Sequence, residues 1–229
     1  MFAPRMTHAR RQQYRHRIRG AGYALSAAVI SLVAVGAARS GQDAPTVFAL
    51  LLLVAAVCWA AGRSHRLAER WRVGADSERA VQHALKGLAG SGWVVRNGVR
   101  WPGGGDIDHL IRSPHGVGFA IETKTRTFSE EHLRRTAATA RWAAHRRRRY
   151  PSGVVPVLCI VRARRLESSY GDVVVVSLDC LVAVVERVAQ STGRSRRRTD
   201  GGREEIRRVD ALGLTPLRAC EPERWLTKR

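Results

Sequence analysis

Two stretches without one charged residue, 20–38 and 44–62, dominate the front of the chain. At a rise of about 1.5 Å per residue each extends about 29 Å, the thickness of a bilayer's hydrocarbon core. Neither has a polar face, so they predict a two-helix transmembrane hairpin rather than core helices of a soluble protein. The tail before them (1–19) carries Arg5, Arg10, Arg11, Arg15, Arg17 and Arg19, and the segment after them (63–72) carries Arg63, Arg66, Arg70 and Arg72. The short turn between them has Arg39 alone. Positive charge gathers on the cytoplasmic side of a membrane, so both ends are expected there. The expectation is an integral protein of the inner (cytoplasmic) membrane with a juxtamembrane helix at 63–72 and a soluble domain facing the cytoplasm. A rival reading takes the first run as a cleaved signal peptide ending near 35–37; the second run would still anchor the domain on the same side.

Beyond residue 72 the pattern changes to short periodic segments. Val81, Ala84, Leu85 and Leu88 recur at helical spacing over 75–89, with Asp76 or Ser77 available as a cap and Gly90 as a stop. A short strand at 93–96 is followed by the breaker WPGGG (101–105). Segments 106–112 and 117–123 alternate as strands around SPHG and predict an antiparallel hairpin. A helix follows over about 129–149, with Thr127 and Glu130 at capping-box spacing, a stripe of Leu133, Ala137, Ala140 and Ala144, and Arg146 to Arg149 at its negative end. Segments 156–162 and 173–178 read as buried strands, and Asp179 caps a last helix to about residue 189. Residues 191–208 are polar, basic and rich in glycine, a linker; 209–229 show no element. The order is that of an α/β domain over 73–190, a mixed β-sheet flanked by helices.

Charge narrows the partners. Forty Lys and Arg against 19 Asp and Glu give +21, which suits nucleic acid or an anionic leaflet, although a GC-rich genome also inflates Arg. The cysteines, at 58, 159, 180 and 220, form no CxxC pair and lack zinc spacing, so they read as buried, inert thiols. The three glycines at 103–105 lack the Lys-Ser/Thr of a phosphate loop.

The chemistry concentrates in the hairpin. Glu122 and Lys124 lie one residue apart at the end of an apolar strand and therefore share a face. If Asp108 pairs opposite Glu122, its carboxylate reaches the same spot, whereas a shift of one residue would turn it away. Two carboxylates there can hold Mg²⁺ or Mn²⁺ with positions left for water and phosphate, and the lysine supplies positive charge, which are the demands of phosphodiester hydrolysis. Glu78 is a further candidate ligand or water-orienting group. Asp106 competes with Asp108 but follows three glycines and suits a turn. His109 alternates to the other face and reads as a packed or hydrogen-bonded histidine. Without its neighbours, Glu122 with Lys124 would read as a surface ion pair. Arg134, Arg135, Arg141 and Arg146 to Arg149, interleaved with Trp142, either track a DNA backbone or form a solvated helix face.

In order, the helix start at 74–78 (GADSE), GDIDHLI and GVGFAIETK resemble the nuclease-related domain, a branch of the restriction-endonuclease-like superfamily whose signature is Asp followed by Glu-x-Lys. The resemblance runs over about 73–185, half the chain. It implies a restriction-endonuclease-like fold and a nuclease acting on DNA. Asp108, Glu122 and Lys124 match the metal-binding and catalytic positions, and Glu78 matches the acid of the first helix. The chain departs from the family downstream, where SEEHLRRTAATARW lacks the family's Asn-Pro and Gln. The expected function is thus a membrane-anchored, Mg²⁺-dependent endonuclease; the alternative is a catalytically silent nucleic-acid-binding or scaffold module of the same fold. Cutting both strands commonly takes two sites, which a homodimer would supply.

Overall fold

The computed structural model describes residues 8–198 and 215–216. The chain divides into two compact units, His8–Ala75 and the remainder from Asp76. The first unit is helical. Helix α1 spans His8–Arg39 and α2 spans Ala44–Ala89, joined by a turn in which the Ser40 N–H bonds the Gly36 carbonyl at 2.9 Å. Both helices are long and apolar enough to cross a membrane. Their distribution of residues inverts that of a water-soluble protein: Ala9, Ala27, Ala34, Ser64 and Ala68 are buried, while Leu25, Leu32, Phe48, Leu51, Leu52 and Trp59 face outward. Small residues let two helices approach closely, as at Gly20, where an added Cβ would stand 3.7 Å from Ser64 Cβ.

Two boundaries differ from expectation. Helix α1 runs back through much of the basic tail, to His8. Helix α2 continues without a break through the juxtamembrane segment to Ala89, so the expected caps Asp76 and Ser77 lie inside it. Asp76 instead pairs with Arg79 at 3.4 Å, and Glu69 with Arg72 at 2.8 Å, one turn apart in each case. Residues 63–72 contain no proline, and Gly62 and Gly74 each weaken a helix by only about 1 kcal/mol.

The second unit is an α/β layer structure. Strands β1 (Val94–Arg100), β2 (Asp106–Arg112), β3 (Gly118–Lys124), β4 (Val154–Ile160), β5 (Glu167–Tyr170) and β6 (Val173–Ser177) form a mixed sheet in the order β1-β2-β3-β4-β6-β5, with the two-residue β7 (Thr215–Pro216) at the far edge. Strands β2 and β3 are antiparallel, while β3, β4 and β6 run parallel. Helix α3 (Glu130–Ala144) covers one face and α4 (Leu178–Arg198) the other, beside the last turns of α2. Val81, Leu85, Leu181 and Val185 pack on Ile111, Phe119, Ile121 and Cys159. On the α3 side, Leu133 meets Leu158 and Ile160, and Ala140, Ala143 and Tyr150 meet Leu110 and Ala120.

Several elements depart from the pattern-based reading. Strand β5 is an addition, and β1 is longer than 93–96. Helix α3 is capped by Ser129, whose N–H donates to His132 Nδ1 at 3.0 Å, rather than by Thr127 with Glu130. It also ends at Ala144, so Arg146 to Arg149 lie in the turn beyond it. Helix α4 begins at Leu178, before Asp179, and extends through residues 191–198 of the expected linker; most of the remaining tail lies outside the described residues. Among the cysteines Cys159 is buried, but Cys180 is half-buried and Cys58 exposed on α2; Cys220 lies outside the described residues.

Candidate active site

Strand β3 is central, and its residues are buried as far as Thr123. Its ladder with β2 pairs Arg112↔Gly118 through His109↔Ile121 and then stops. Past that point β2 stays with β1 (Val99↔Ile107, Arg100↔Asp106), and β3 stays with β4 (Glu122↔Leu158, Thr123↔Cys159, Lys124↔Ile160). The sheet therefore forks. Carried one residue further, the β2–β3 register sets Asp108 opposite Glu122, at the base of the fork.

Asp108 takes the place of the missing ladder. Its Oδ2 accepts the Thr123 N–H at 2.7 Å, a donor that a continued ladder would have given to a β2 carbonyl. On its other flank Gly98 lies between the pairs Asn97↔His109 and Val99↔Ile107, with φ +60°. Only glycine adopts that conformation without strain, and it leaves no side chain beside Asp108.

The electrostatics of this corner are unfavourable as they stand. Burial, then the carboxylates of Glu122 and Glu78, push the Asp108 carboxyl well above its usual range; the Thr123 N–H and Lys124 oppose this. Glu122 is 5% exposed. Its Oε1 accepts Lys124 Nζ at 2.8 Å, and its Oε2 is buried with no protein partner among the described residues. Glu78 enters from α2, where the Ser77 hydroxyl lies 3.0 Å from that of Thr125 just beyond β3. Asp108, Glu122 and Lys124 thus meet at the fork, with Glu78 in electrostatic range. Among the described residues no group of three or more His, Cys, Asp or Glu side chains is arranged to hold a metal by itself.

One residue that sequence reasoning passed over is His132. Partial burial and Lys124 lower its pKa, and Glu122 acts on it in the opposite sense, which places it near the pair. Because Nδ1 accepts the Ser129 N–H, the neutral ring carries its proton on Nε2. The pattern Ser-x-x-His at a helix start was the available signal.

The other candidates separate. His109 lies on the opposite face, buried, with Nδ1 2.7 Å from Asn97 Oδ1; burial lowers its pKa to about 4. Asp106 starts β2, and its carbonyl accepts Arg135 Nη2 at 3.4 Å. Arg135 is half-buried against Gly105, where an added Cβ would stand 2.8 Å from Nη2. It is therefore turned inward, unlike Arg134, which is exposed and paired with Glu131 at 3.1 Å, and Arg141, which is exposed. The three do not form one outward row.

Residues 73–184 match the family model of the nuclease-related domain. These residues are a nuclease-related domain. No curated protein and no solved structure matches the chain. The nuclease-related domain includes the last turns of α2, strands β1 to β6, α3 and the start of α4, and so contains Glu78, Asp108, Glu122, Lys124 and His132.

Proposed function

We propose that this nuclease-related domain hydrolyses phosphodiester bonds in DNA with the help of Mg²⁺ or Mn²⁺, and that helices α1 and α2 anchor it in the inner membrane with the domain on the cytoplasmic side. The observation that carries the reading is the buried Oε2 of Glu122, without a partner among the described residues, beside a carboxyl that burial and then the neighbouring carboxylates push toward neutrality. Hard carboxylate oxygens suit Mg²⁺, which keeps several waters and needs only one or two protein carboxylates. Asp108 and Glu122 would hold the ion. When bound, it would neutralise charge on the phosphate and acidify a water.

The chain's own groups supply the rest. The Thr123 N–H fixes the orientation of Asp108. Lys124 shares a face with Glu122, 2.8 Å from Oε1, and its ammonium offsets the negative charge that builds up on the phosphoryl oxygens as the water oxygen bonds to phosphorus and the P–O bond to the leaving strand breaks. Glu78 orients the attacking water. His132, with a proton on Nε2, is a donor within electrostatic range of Glu122 and Lys124 and stands on the helix where the family's glutamine is absent. The outward Leu, Phe and Trp side chains of α1 and α2 support the anchor, and the arginines flanking the apolar runs support its orientation.

A second reading draws on a different observation. Lys124 is committed to Glu122, as in a closed ion pair, and this favours a binding module that does not cut. Nicking of supercoiled plasmid by the full chain in detergent, with Mg²⁺, Mn²⁺ or EDTA, separates the two. Metal-dependent nicking that disappears in Glu122→Ala and Lys124→Ala is the expected result; a folded wild-type protein that binds DNA without nicking it rejects the hydrolase.

A further inference from the structure

A second concentration of charge lies away from the fork. Arg96 on β1, Arg112 on β2, and Arg146 and Arg149 in the turn after α3 all act electrostatically on the hydroxyl of Tyr150. The backbone puts them in one neighbourhood: Tyr150 follows Arg149 and packs on Gly118, whose cross-strand partner is Arg112, and Arg96 is paired with Leu110 two residues before Arg112. The scaffold beneath them is defined. The N–H groups of Arg149 and Tyr150 bond the Arg146 carbonyl at 2.8 and 3.1 Å, and the Arg146 guanidinium lies 4.1 Å from the Trp142 ring centroid. Tyr150 packs so closely on Gly118 that a Cβ there would stand 2.6 Å from Cδ1.

Among the described residues none of the four arginines forms an ion pair, whereas Arg72, Arg79, Arg134 and Arg187 each meet a carboxylate. Like charges gathered by a fixed scaffold and left without counter-charge repel one another, and an anion relieves that repulsion. We propose that Arg96, Arg112, Arg146 and Arg149 form a phosphate-binding patch that holds the nucleic-acid backbone a few nucleotides from the bond to be cut. This rests on the nuclease reading above and extends it.

Register supplies the distance. Asp108, Leu110 and Arg112 point to one face of β2, and Arg96 is paired with Leu110 on that face. Arg112 is four residues beyond Asp108, about 13 Å at about 3.3 Å per residue. A nucleic-acid strand carries one phosphate per nucleotide, and because successive phosphates are displaced by the helical turn as well as by the axial rise of about 3.4 Å, about 13 Å spans only a few nucleotides. A strand whose scissile phosphate sat at the fork would present a phosphate to the patch at about that remove. Anionic lipid headgroups offer the same chemistry, but nothing about them accounts for an alignment with Asp108 on a common strand face.

The test uses the full chain in nanodiscs of zwitterionic lipid and a fluorescein-labelled duplex of ~24 base pairs in EDTA, titrated at salt from about 50 to about 200 mM. The variant is Arg96→Gln/Arg146→Gln, both sites being exposed. Loss of two phosphate contacts lowers the slope of log K against log salt by about 1.8, so the rise in salt costs the variant about 12-fold less affinity than the wild type. An unchanged slope overturns the patch. So does an effect of the variant that vanishes when the discs contain anionic lipid, because the headgroups then occupy the arginines. Plasmid nicking is read separately. Nicking by the wild type with an unchanged salt slope rejects the patch and keeps the hydrolase; a reduced slope with no nicking keeps the patch and rejects the hydrolase.

Discussion

His109 makes the nuclease-related domain sensitive to acid by a calculable amount. It is 1% exposed in β2, next to Asp108 but on the opposite face, with Asn97 Oδ1 on Nδ1 and Nε2 buried without a partner among the described residues. Protonating it would put a charge into an apolar layer, which is why its pKa falls from 6.5 to about 4. The folded state therefore binds fewer protons than the unfolded chain between these values, and stability is lost as pH falls through the window. At about 1.36 kcal/mol per pKa unit the loss is about 3 kcal/mol, complete below about pH 4. Asp108 acts in the opposite sense: its raised pKa is a penalty on the folded state at neutral pH that disappears as pH falls. A comparison with His109→Gln removes the histidine contribution while leaving that of Asp108 in both proteins. Urea titrations of the full chain in mild detergent, followed by tryptophan fluorescence because Trp93 lies 5.9 Å from Phe119 in the same core, measure both pH profiles. Wild type should lose about 3 kcal/mol more than the variant between pH 7 and pH 4. Parallel profiles would refute the argument that burial keeps His109 neutral.

Three other perturbations test separate parts of the structure. Gly118→Ala places a Cβ 2.6 Å from Tyr150 Cδ1 and 2.9 Å from Val154 Cγ2; overpacking of this kind costs about 1–3 kcal/mol in the same titration, and an unchanged midpoint would show that Tyr150 yields freely. Cys159, whose thiol burial pushes up to about 12, should stay unalkylated by iodoacetamide at pH 8 until the protein is unfolded; peptide mass analysis showing native modification contradicts its placement. Asp108→Asn should raise the stability of the metal-free protein by relieving carboxylate repulsion, while removing the gain of about 2.7 kcal/mol that Mg²⁺ at about 100 times its Kd gives the wild type. An undiminished Mg²⁺ effect in that variant excludes Asp108 as a ligand.

The hairpin that carries the site was legible nearly to the residue because two independent signals agree on it: the alternation in DIDHLIR and AIETK, and the SPHG turn, whose Gly116 has φ +80°. Elements with weaker local signals were not. Strand β5 reads ESSY, with no apolar alternation, and is made a strand by its pairing with the buried β6 and by the Arg187–Glu167 ion pair. The continuity of α2 was hidden because polar residues at 63–79 look like a boundary, yet nothing among them interrupts a helix. Arg146 to Arg149 were read as the last turn of α3; their position beyond it depends on Tyr150 seating against Gly118, a contact 32 residues apart in sequence.

The fork in the sheet could not have been read from either strand alone. Each strand continues past it in regular conformation, β2 paired with β1 and β3 with β4, so local propensity is satisfied on both sides. What ends the pairing between β2 and β3 is the substitution of a side-chain acceptor, Asp108, for a backbone one. That exchange keeps the Thr123 N–H satisfied while moving the two strands' remaining backbone apart, and it draws a carboxylate into the gap opposite Glu122. An amide at position 108 could accept the same hydrogen bond without the repulsion from Glu122 and Glu78, and a stability-driven sequence would favour it. A carboxyl at a place where the fold needs only an acceptor is a cost to the metal-free fold, and the cation proposed for the fork would offset it.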